Sequence, residues 1–306
     1  MAMEQKKRET FRAGATWLRA DFHLHTKADK EFKYTDEEDY YFSNYVEALE
    51  KAEIKVGVIA NHNKFDVDEF RALRKTAAKK EILLLPGVEL SVNDGANGVH
   101  VLVVFSDEWL KDGKDYISLL ITSMFPGKDI SEYQNENGRT DKNILEVVDE
   151  LEKTARDYFL VFAHVEQKSG LWHEMGGGKL SDFRNKRYET VRQRTLGFQK
   201  VRTRDERKKV EEWLGNWYPA EVEGCDCKSI ADIGNGKKCY IKIGAFSFEA
   251  VKFALIDQEN RIADVPPKYE HSYIRAIRFT GGILNGQEIN FSPGLNTLIG
   301  IRGSGK

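Results

Sequence analysis

Residues 82–105 read ILLLPGVELSVNDGANGVHVLVVF, and this pattern decides the class of fold. Three short apolar runs, at 82–85, 88–92 and 99–105, have the length of buried strands. The Pro-Gly pair after the first run predicts a turn, and a Gly-rich polar loop precedes the third run. The sequence therefore predicts three consecutive strands of a buried sheet.

The rest of the first 265 residues alternates similar apolar runs with amphipathic helical patterns. Further strands are predicted at 17–24, 54–60, 159–163 and 240–243. Helices are predicted at 44–52, 67–79, 141–157 and 246–255. Strands that alternate with helices favour a parallel sheet or barrel over an all-β sandwich. We therefore expect an α/β fold.

The composition is that of a globular protein. The chain has 306 residues, 41% of them hydrophobic and 31% charged, with a formal net charge of −2. These values allow a sizeable core and about two domains, and they exclude disorder, collagen-like repetition and a disulfide scaffold. No apolar run approaches the ~20 residues of a membrane span, and the polar N-terminus lacks the apolar stretch of a signal peptide. With only three cysteines, an odd number, we expect a cytoplasmic protein without a membrane partner.

Positive charge is concentrated in one segment. Residues 184–209 contain eleven Lys or Arg against three acidic residues, a net charge of +8, which leaves −10 for the rest of the chain. Such a segment can neutralise phosphates and favours a nucleic acid or another polyanion as partner. A solvated helix face, or a surface that docks another domain, accounts for the charge equally well. Tyr188, Phe198 and Trp213 could stack on bases or belong to the core.

Five of the seven histidines stand in or next to predicted strands. His23 and His25 close the first strand two residues apart, so both imidazoles point to the same face. Later strands bring three more histidines, and two carboxylates stand at comparable places: His62, His100, His164, Glu89 and Asp226. In a barrel of parallel strands the strand ends converge on one mouth, where active sites form.

Imidazoles and carboxylates that converge there provide the ligands for divalent metal ions. Histidine suits Zn, Mn or Fe, and a carboxylate can bridge two ions about 3.5 to 4 Å apart. A single histidine of this kind is best explained as a hydrogen-bonded residue at a strand end, but five with two carboxylates indicate a metal site. His173 and His271 are expected at the surface.

Six ordered segments of this chain resemble the motifs of the polymerase and histidinol phosphatase (PHP) superfamily. They are DFHLHT, IANHN, LPGVEL, GVHVLVVF, FAHV and GCDCK, and the similarity covers about residues 17–265. The resemblance implies a distorted seven-stranded β/α barrel of the TIM type that hydrolyses phosphoesters with two or three metal ions. It assigns His23, His25, Glu89 and Asp226 to one ion, and Glu89, His100 and His164 to a second. By the same resemblance, Asp21 is expected to orient a histidine.

Two positions depart from the family pattern. Glu31 stands where many members have a histidine, and the terminal Asp-x-His is here Asp226-Cys227-Lys228. Both missing groups belong to the third metal site, which leaves His62 with fewer partners. We therefore expect two ions, with a third only if Glu31 or water replaces the missing ligand. Lys228 would then place its positive charge against the substrate phosphate, which makes it a candidate catalytic residue.

Cys225 and Cys227 flank Asp226, and on an extended segment their side chains point away from the face of the aspartate. We therefore expect free, partly buried thiols there rather than metal ligands.

The end of the chain has a different pattern. After a predicted linker at 266–271, residues 272–306 read as two or three strands that end in a Gly-rich loop. Gly300, Gly305 and Lys306 match G-x-x-x-x-G-K, a loop that binds nucleotide phosphates. This segment resembles the start of ABC-type ATPases of the chromosome-maintenance and RecF families, although the strands could instead extend the barrel.

The two parts together resemble the TrlF-like and Ppl-type proteins, which join a PHP domain to an ATPase and are associated with antiphage defence. The domain boundaries are then an N-terminal extension at 1–16, a PHP domain at 17–265, the linker, and an ATPase start at 272–306. We expect ATP binding only in a longer chain that also contains the rest of the ATPase domain and forms a homo-oligomer.

Three functions follow from these observations. The leading hypothesis is a metal-dependent nuclease, with DNA as the substrate, because the basic segment and the ATPase relatives both point to nucleic acid. The second is a phosphatase for a small phosphomonoester such as a nucleotide. The third is an inactive barrel that binds a partner and regulates the ATPase.

Overall fold

The computed structural model describes residues 10–135, 137–297, 299 and 300. The main sheet contains β1 Thr16–Leu24, β2 Ile54–His62, β3 Leu83–Val92, β4 Val99–Phe105, β5 Tyr158–Phe162, β6 Thr195–Gln199, β7 Ala220–Val222, β8 Cys239–Ile243 and β9 Ile262–Ala263. The helices are α1 Tyr41–Lys51, α2 Val67–Ala78, α3 Tyr116–Met124, α4 Ile130–Tyr133, α5 Ile144–Glu152, α6 Leu171–Glu174, α7 Gly178–Ser181, α8 Glu189–Arg194, α9 Arg204–Leu214, α10 Phe248–Ile256 and α11 Gln258–Arg261.

The nine strands form one nearly closed, barrel-like sheet in the order β7-β6-β5-β4-β3-β2-β1-β8-β9. The chain after β7 returns to β1, as two hydrogen bonds show. The Phe22 N–H donates to the Glu223 carbonyl (3.0 Å), and the Asp226 N–H donates to the His23 carbonyl (2.8 Å). The expected α/β barrel architecture is confirmed. The sheet has nine strands, however, where the sequence resemblance implied seven.

The sheet is mixed rather than purely parallel. β1, β2 and β3 pair in parallel, as do β5, β6 and β7, but β4 runs antiparallel to both of its neighbours. The loop at 93–98 explains this reversal, because six residues can close a hairpin but cannot hold the helix that a parallel crossover needs. β8 and β9 are also antiparallel additions.

The predicted turn at Pro86-Gly87 is wrong, since β3 continues through both residues. Pairing with β4 begins at Gly87, so the missing N–H of Pro86 falls just before that ladder and removes no hydrogen bond from it. The neighbours of Gly87 also leave no room for a side chain, because a Cβ there would lie 2.9 Å from a Val58 methyl group.

Two hydrophobic cores cover the two faces of the sheet. One face, which includes Phe22, Val58 and Leu102, packs with α10. The other packs against α1, α2, α3 and α5. All seven residues of β4 are buried, as expected for a strand covered on both faces.

Residues 266–271, predicted as a linker, contain no helix or strand. Beyond them lies a two-stranded antiparallel hairpin, β10 Ala276–Arg278 and β11 Glu288–Asn290, whose apolar side chains are largely exposed. Gly300 is exposed and belongs to no regular element, while Gly305 and Lys306 lie outside the described residues. The nucleotide-loop prediction therefore stays a prediction. In the described part of the chain, no helix is both long and apolar enough to cross a membrane.

Candidate metal centre

The seven residues predicted from strand ends meet at one end of the barrel. His23 belongs to β1, His62 ends β2, and Glu89 lies beside His62 in the parallel register of β2 and β3. The other four are His25 just after β1, His100 in the antiparallel β4, His164 two residues after β5 and Asp226 four residues after β7. All except Asp226 are buried, and Asp226 is partly buried.

Glu89 is the hub of this end of the barrel. Its Oε2 lies 2.9 Å from His23 Nε2, 3.0 Å from His62 Nε2 and 3.6 Å from His25 Nε2. Its Oε1 lies 2.8 Å from His100 Nδ1 and 3.4 Å from His164 Nε2. One carboxylate, 1% exposed, thus contacts five imidazoles. We refer to these six residues as the Glu89 cluster.

Electrostatics favours the ionised form of Glu89. Burial alone would raise the pKa of this carboxyl, but the neighbouring His23, His62 and His100 outweigh burial and hold the pKa well below its usual range. The buried carboxyl group at the centre of the cluster is therefore held in its negatively charged form.

The donor atoms fall into small groups that could each hold an ion. His23, His25 and Asp226 form one group, and Glu89, His100 and His164 form another, with the ligand atoms within 4.8 Å of one another in each. Both groups lie within the two ligand sets that the family resemblance implies. A third group joins His62 to Asp29 and Glu31, and His62 also groups with His25 and Glu89. His62 therefore has more partners than its departures from the family pattern suggested.

Asp29 and Gln199 orient the imidazoles from outside. Asp29 Oδ2 lies 3.1 Å from His25 Nδ1 and 3.0 Å from His62 Nδ1, so the Nε2 atoms of both rings face inward. Gln199 Oε1 lies 3.0 Å from His23 Nδ1 and accepts the His164 N–H at 3.1 Å. Sequence reasoning missed both residues. A carboxylate four residues beyond His25 was a usable signal for Asp29, but Gln199 ends a strand that was not predicted.

Asp21 forms hydrogen bonds with the main chain. Its carboxylate accepts the N–H groups of His23 (3.0 Å) and Cys225 (3.1 Å). Asp21 thus contacts the backbone where β1 meets the segment after β7, and its expected role in orienting a histidine stays a prediction. The Cys225 and Cys227 thiols are free, and they contact the carbonyls of His23 and His25.

Lys228 lies at the edge of the centre between two carboxylates. Its Nζ is 2.6 Å from Glu31 Oε2 and 3.2 Å from Asp226 Oδ1, and Lys200 Nζ approaches the other Asp226 oxygen at 3.3 Å. Burial lowers the pKa of Lys228, but Asp226 and Glu31 more than compensate and raise it. The side chain therefore carries a permanent positive charge. It does so beside Glu31, one of the residues available for a third ion.

A cavity of about 500 Å³ opens above these residues. Its floor includes His62, His100, His164 and Asp226, and its walls include three basic side chains. These are Arg139, Lys168 and Lys228. A cavity with imidazoles below and cations around it is suited to an anionic ligand.

Most basic side chains of the segment at 184–209 have a partner within the chain. Seven of its eleven basic side chains contact a carboxylate or main-chain carbonyl: Arg184, Arg187, Arg192, Arg194, Lys200, Arg202 and Arg207. Tyr188 and Phe198 are buried in the core, and Trp213 packs against it. Much of the charge thus has an internal partner, which weakens the sequence argument for a nucleic-acid surface. His173 and His271 are exposed, as expected.

Glu174 secures one wall of the cavity. Its carboxylate accepts the N–H groups of Ala96 (2.9 Å), Asn97 (3.0 Å) and Ser169 (3.2 Å), and the side chain is 2% exposed. Burial raises the pKa of Glu174, but the N–H donors, Asn97 first, outweigh it and lower this pKa to about 2.

We expect Glu174→Gln to lower the free energy of unfolding by about 1.5–3 kcal/mol at pH 7, the range for hydrogen bonds to a charged group. Because the folded pKa is depressed, this contribution is complete above the unfolded value near pH 4.5 and disappears as the pH falls towards 2. Urea denaturation at pH 7, 5, 4 and 3 should therefore show wild type approaching the variant at low pH. A constant difference would contradict the assignment.

Comparison with known proteins shows distant similarities of shape. No protein-family model matches the chain, and no curated protein matches it. A proposed metal-dependent phosphoesterase from Bifidobacterium adolescentis is 13% identical, with a TM-score of 0.47 over 78% of this chain and 95% of its own. PsfC from Pseudomonas syringae is 11% identical, with a TM-score of 0.44 over 80% and 89%. An amidohydrolase from Chromobacterium violaceum, solved with bound sulfate and no metal, is 13% identical, with a TM-score of 0.45 over 71% and 90%.

Proposed function

We propose that the protein is a metal-dependent phosphoesterase whose reaction takes place at the Glu89 cluster. The observation that carries the proposal is the contact of one buried carboxylate with five imidazoles. A ring nitrogen that presents its lone pair repels a carboxylate at this distance, so the arrangement requires protons or cations between the groups. Nitrogen and oxygen donors in this combination suit Mn, Zn or Fe.

The donor set fits two ions that share Glu89. His23, His25, Glu89 and Asp226 would hold one, and Glu89, His100 and His164 the other. When bound, such ions lower the pKa of a coordinated water and stabilise charge on the attacked phosphate. A third ion would draw on His62, Asp29 and Glu31, where Lys228 already supplies a positive charge.

Other side chains near the cluster orient the imidazole rings and bind the substrate. Asp29 and Gln199 fix the imidazole rings, which keeps the Nε2 atoms of His23, His25 and His62 directed at Glu89. Lys228 presents its ammonium group to the cavity, where it can bind a phosphate oxygen.

We expect Lys228→Ala to lower kcat/KM for a phosphodiester about tenfold to a hundredfold, because one charge-assisted hydrogen bond to the phosphate is lost. The metal content should stay at the wild-type value, since the ligands of the two ions remain. Elemental analysis and steady-state kinetics test both statements, with Lys111→Ala as the matched control. Lys111 is exposed in the turn after β4, at the opposite end of the barrel from His100. An unchanged rate for Lys228→Ala would refute its role.

The direct test of the proposed function combines bound metal with hydrolysis of bis-p-nitrophenyl phosphate by the purified protein. About two ions per chain and metal-dependent release of p-nitrophenolate are expected. Protein without metal, and without activity in any divalent ion, would instead favour an inactive barrel with a binding or regulatory role. Activity on p-nitrophenyl phosphate alone would favour the small-molecule phosphatase.

Within this proposal we retain nucleic acid, and DNA in particular, as the substrate. Four basic residues of the segment at 184–209 are exposed and have no ion-pair partner among the described residues: Lys186, Arg204, Lys208 and Lys209. Control by an ATPase domain and a role in antiphage defence belong to the same proposal and rest on the sequence motif near residues 300–306.

A nuclease that uses these four charges should be sensitive to salt. We expect kcat/KM on a DNA oligonucleotide to fall about a hundredfold between 50 and 200 mM salt, because four phosphate contacts release their counterions. The double change Lys208→Gln, Lys209→Gln should flatten that dependence by about two units of slope. A small phosphomonoester should respond little to salt. An oligonucleotide rate that is equally insensitive would remove nucleic acid as the substrate.

A further inference from the structure

The basic residues of the cavity differ in their charge balance. Lys228 lies on the side of Asp226 and forms ion pairs with the carboxylates of Glu31 and Asp226. Arg139 and Lys168 lie on the side of His100 and His164, and neither has a carboxylate within 4.0 Å among residues 10–135 and 137–297. The wall of the cavity that contains Arg139 and Lys168 therefore carries positive charge that no neighbouring carboxylate balances.

The backbone of the loop that carries Arg139 is fixed by its contacts. Asn63, buried at the end of β2, donates its Nδ2 to the carbonyls of Tyr133 (2.8 Å) and Gly138 (2.7 Å). A side chain at 138 would strike the Tyr133 carbonyl, since a Cβ there would lie 2.0 Å from that oxygen. Arg139 donates one N–H of its guanidinium to the Ala96 carbonyl (3.1 Å). The other N–H groups of the guanidinium can donate to a ligand.

Lys168 is placed by the turn that also places two metal-ligand candidates. The His100 N–H donates to the Ser169 carbonyl (2.8 Å), and the Gln167 N–H donates to the His164 carbonyl (2.8 Å). Lys168 stands between these two anchored residues, and its side chain is exposed at the cavity. The wall that carries both cations is thus tied to the Glu89 cluster.

We infer that Arg139 and Lys168 bind a second phosphate of the substrate, adjacent to the one that is hydrolysed. This inference rests on the proposed function and specifies its substrate class: a phosphoester with a neighbouring phosphate, from a small bisphosphorylated molecule or from the next link of a nucleic-acid strand. A guanidinium binds phosphate with paired hydrogen bonds, and an ammonium adds a point charge.

Two chromogenic substrates that differ in one phosphate test the inference. Thymidine 5′-(p-nitrophenyl phosphate) offers the scissile diester alone, and its 3′-phosphorylated form adds the second phosphate. We expect the added phosphate to lower KM about tenfold to a hundredfold, as one or two charge-assisted hydrogen bonds permit. Arg139→Gln with Lys168→Gln should remove most of that advantage, while Lys111→Gln, the matched control, should retain it.

A third substrate separates the two sources of the second phosphate. It carries the 3′-phosphate as a methyl ester, which imitates a continuing strand. An advantage that survives methylation indicates a nucleic-acid strand, and one that is lost indicates a terminal phosphate of a small molecule. Either result supports the subsite.

Failure of the subsite differs from failure of the proposed function. If both thymidine substrates are hydrolysed equally well by wild type, or the double variant keeps the advantage, the subsite is wrong and the phosphoesterase stands. If neither is hydrolysed, calorimetric binding of thymidine 3′,5′-bisphosphate against thymidine 5′-monophosphate still decides. Tighter binding of the bisphosphate by wild type, lost in the double variant, supports the subsite, and equal binding overturns it.

Discussion

Glu89→Gln is expected to abolish hydrolysis, with kcat reduced about a thousandfold or more, and to lower the bound metal from about two ions per chain. The amide keeps the shape of the side chain but removes the negative charge that five imidazoles share. It also replaces one acceptor oxygen by an NH₂ group, which cannot donate an electron pair to an ion. Because Glu89 belongs to both ligand sets, one substitution disturbs both.

Three measurements are needed for Glu89→Gln. Elemental analysis gives the metal content, p-nitrophenolate release gives kcat, and circular dichroism shows that the barrel is folded. Glu108→Gln is the matched control, because Glu108 is exposed in the turn after β4. A folded Glu89→Gln protein that keeps two ions and a rate within tenfold of wild type would show that Glu89 bridges nothing.

Asp29→Asn is expected to weaken metal binding about tenfold to a hundredfold, the usual cost of removing a carboxylate that orients ligand imidazoles. Asp29 Oδ2 faces the Nδ1 atoms of both His25 and His62 and also accepts the His62 N–H at 2.7 Å. An asparagine lacks the negative charge, and its NH₂ group must replace either this oxygen or Oδ1, which accepts the Glu31 N–H at 3.0 Å. The rings then lose their fixed orientation.

The effect of Asp29→Asn should appear at limiting metal and diminish when metal is in excess. Titration of the metal-free protein with Mn²⁺, followed by activity, separates this positioning role from a catalytic one. Asp112→Asn, an exposed aspartate at the other end of the barrel, is the control. A rate that stays low at saturating Mn²⁺ would instead place Asp29 in the chemistry.

The candidate site was more predictable from the sequence than the sheet around it. Ligand-type residues stand where apolar runs end, and the strand ends of a barrel meet at one mouth. The sequence therefore predicted that all seven candidates lie close together. Their distances to Glu89 depend on side-chain packing that no periodicity encodes. Asp21 illustrates the limit, because its proximity to His23 in sequence says nothing about whether it contacts the ring or the backbone.

The errors in the fold have local causes. β6 was missed because it lies within the strongly charged segment, and β7 was missed because it is only three residues long. That segment read as a surface because the partners of its arginines are distant in sequence. Arg194, for example, binds Glu152, and Arg202 binds Glu223. Pro86 read as a turn because the local sequence does not show that this residue pairs in register with Ile59 of β2.

The hydrogen bonds that join β1 to the segment after β7 have a consequence for how the protein is made. His23 is among the first barrel residues to leave the ribosome and Asp226 is much later, yet the Asp226 N–H donates to the His23 carbonyl and both side chains belong to one candidate ion group. A nascent chain therefore cannot complete the first ion group before residue 226 has emerged. That group can therefore form only after most of the barrel has been synthesised.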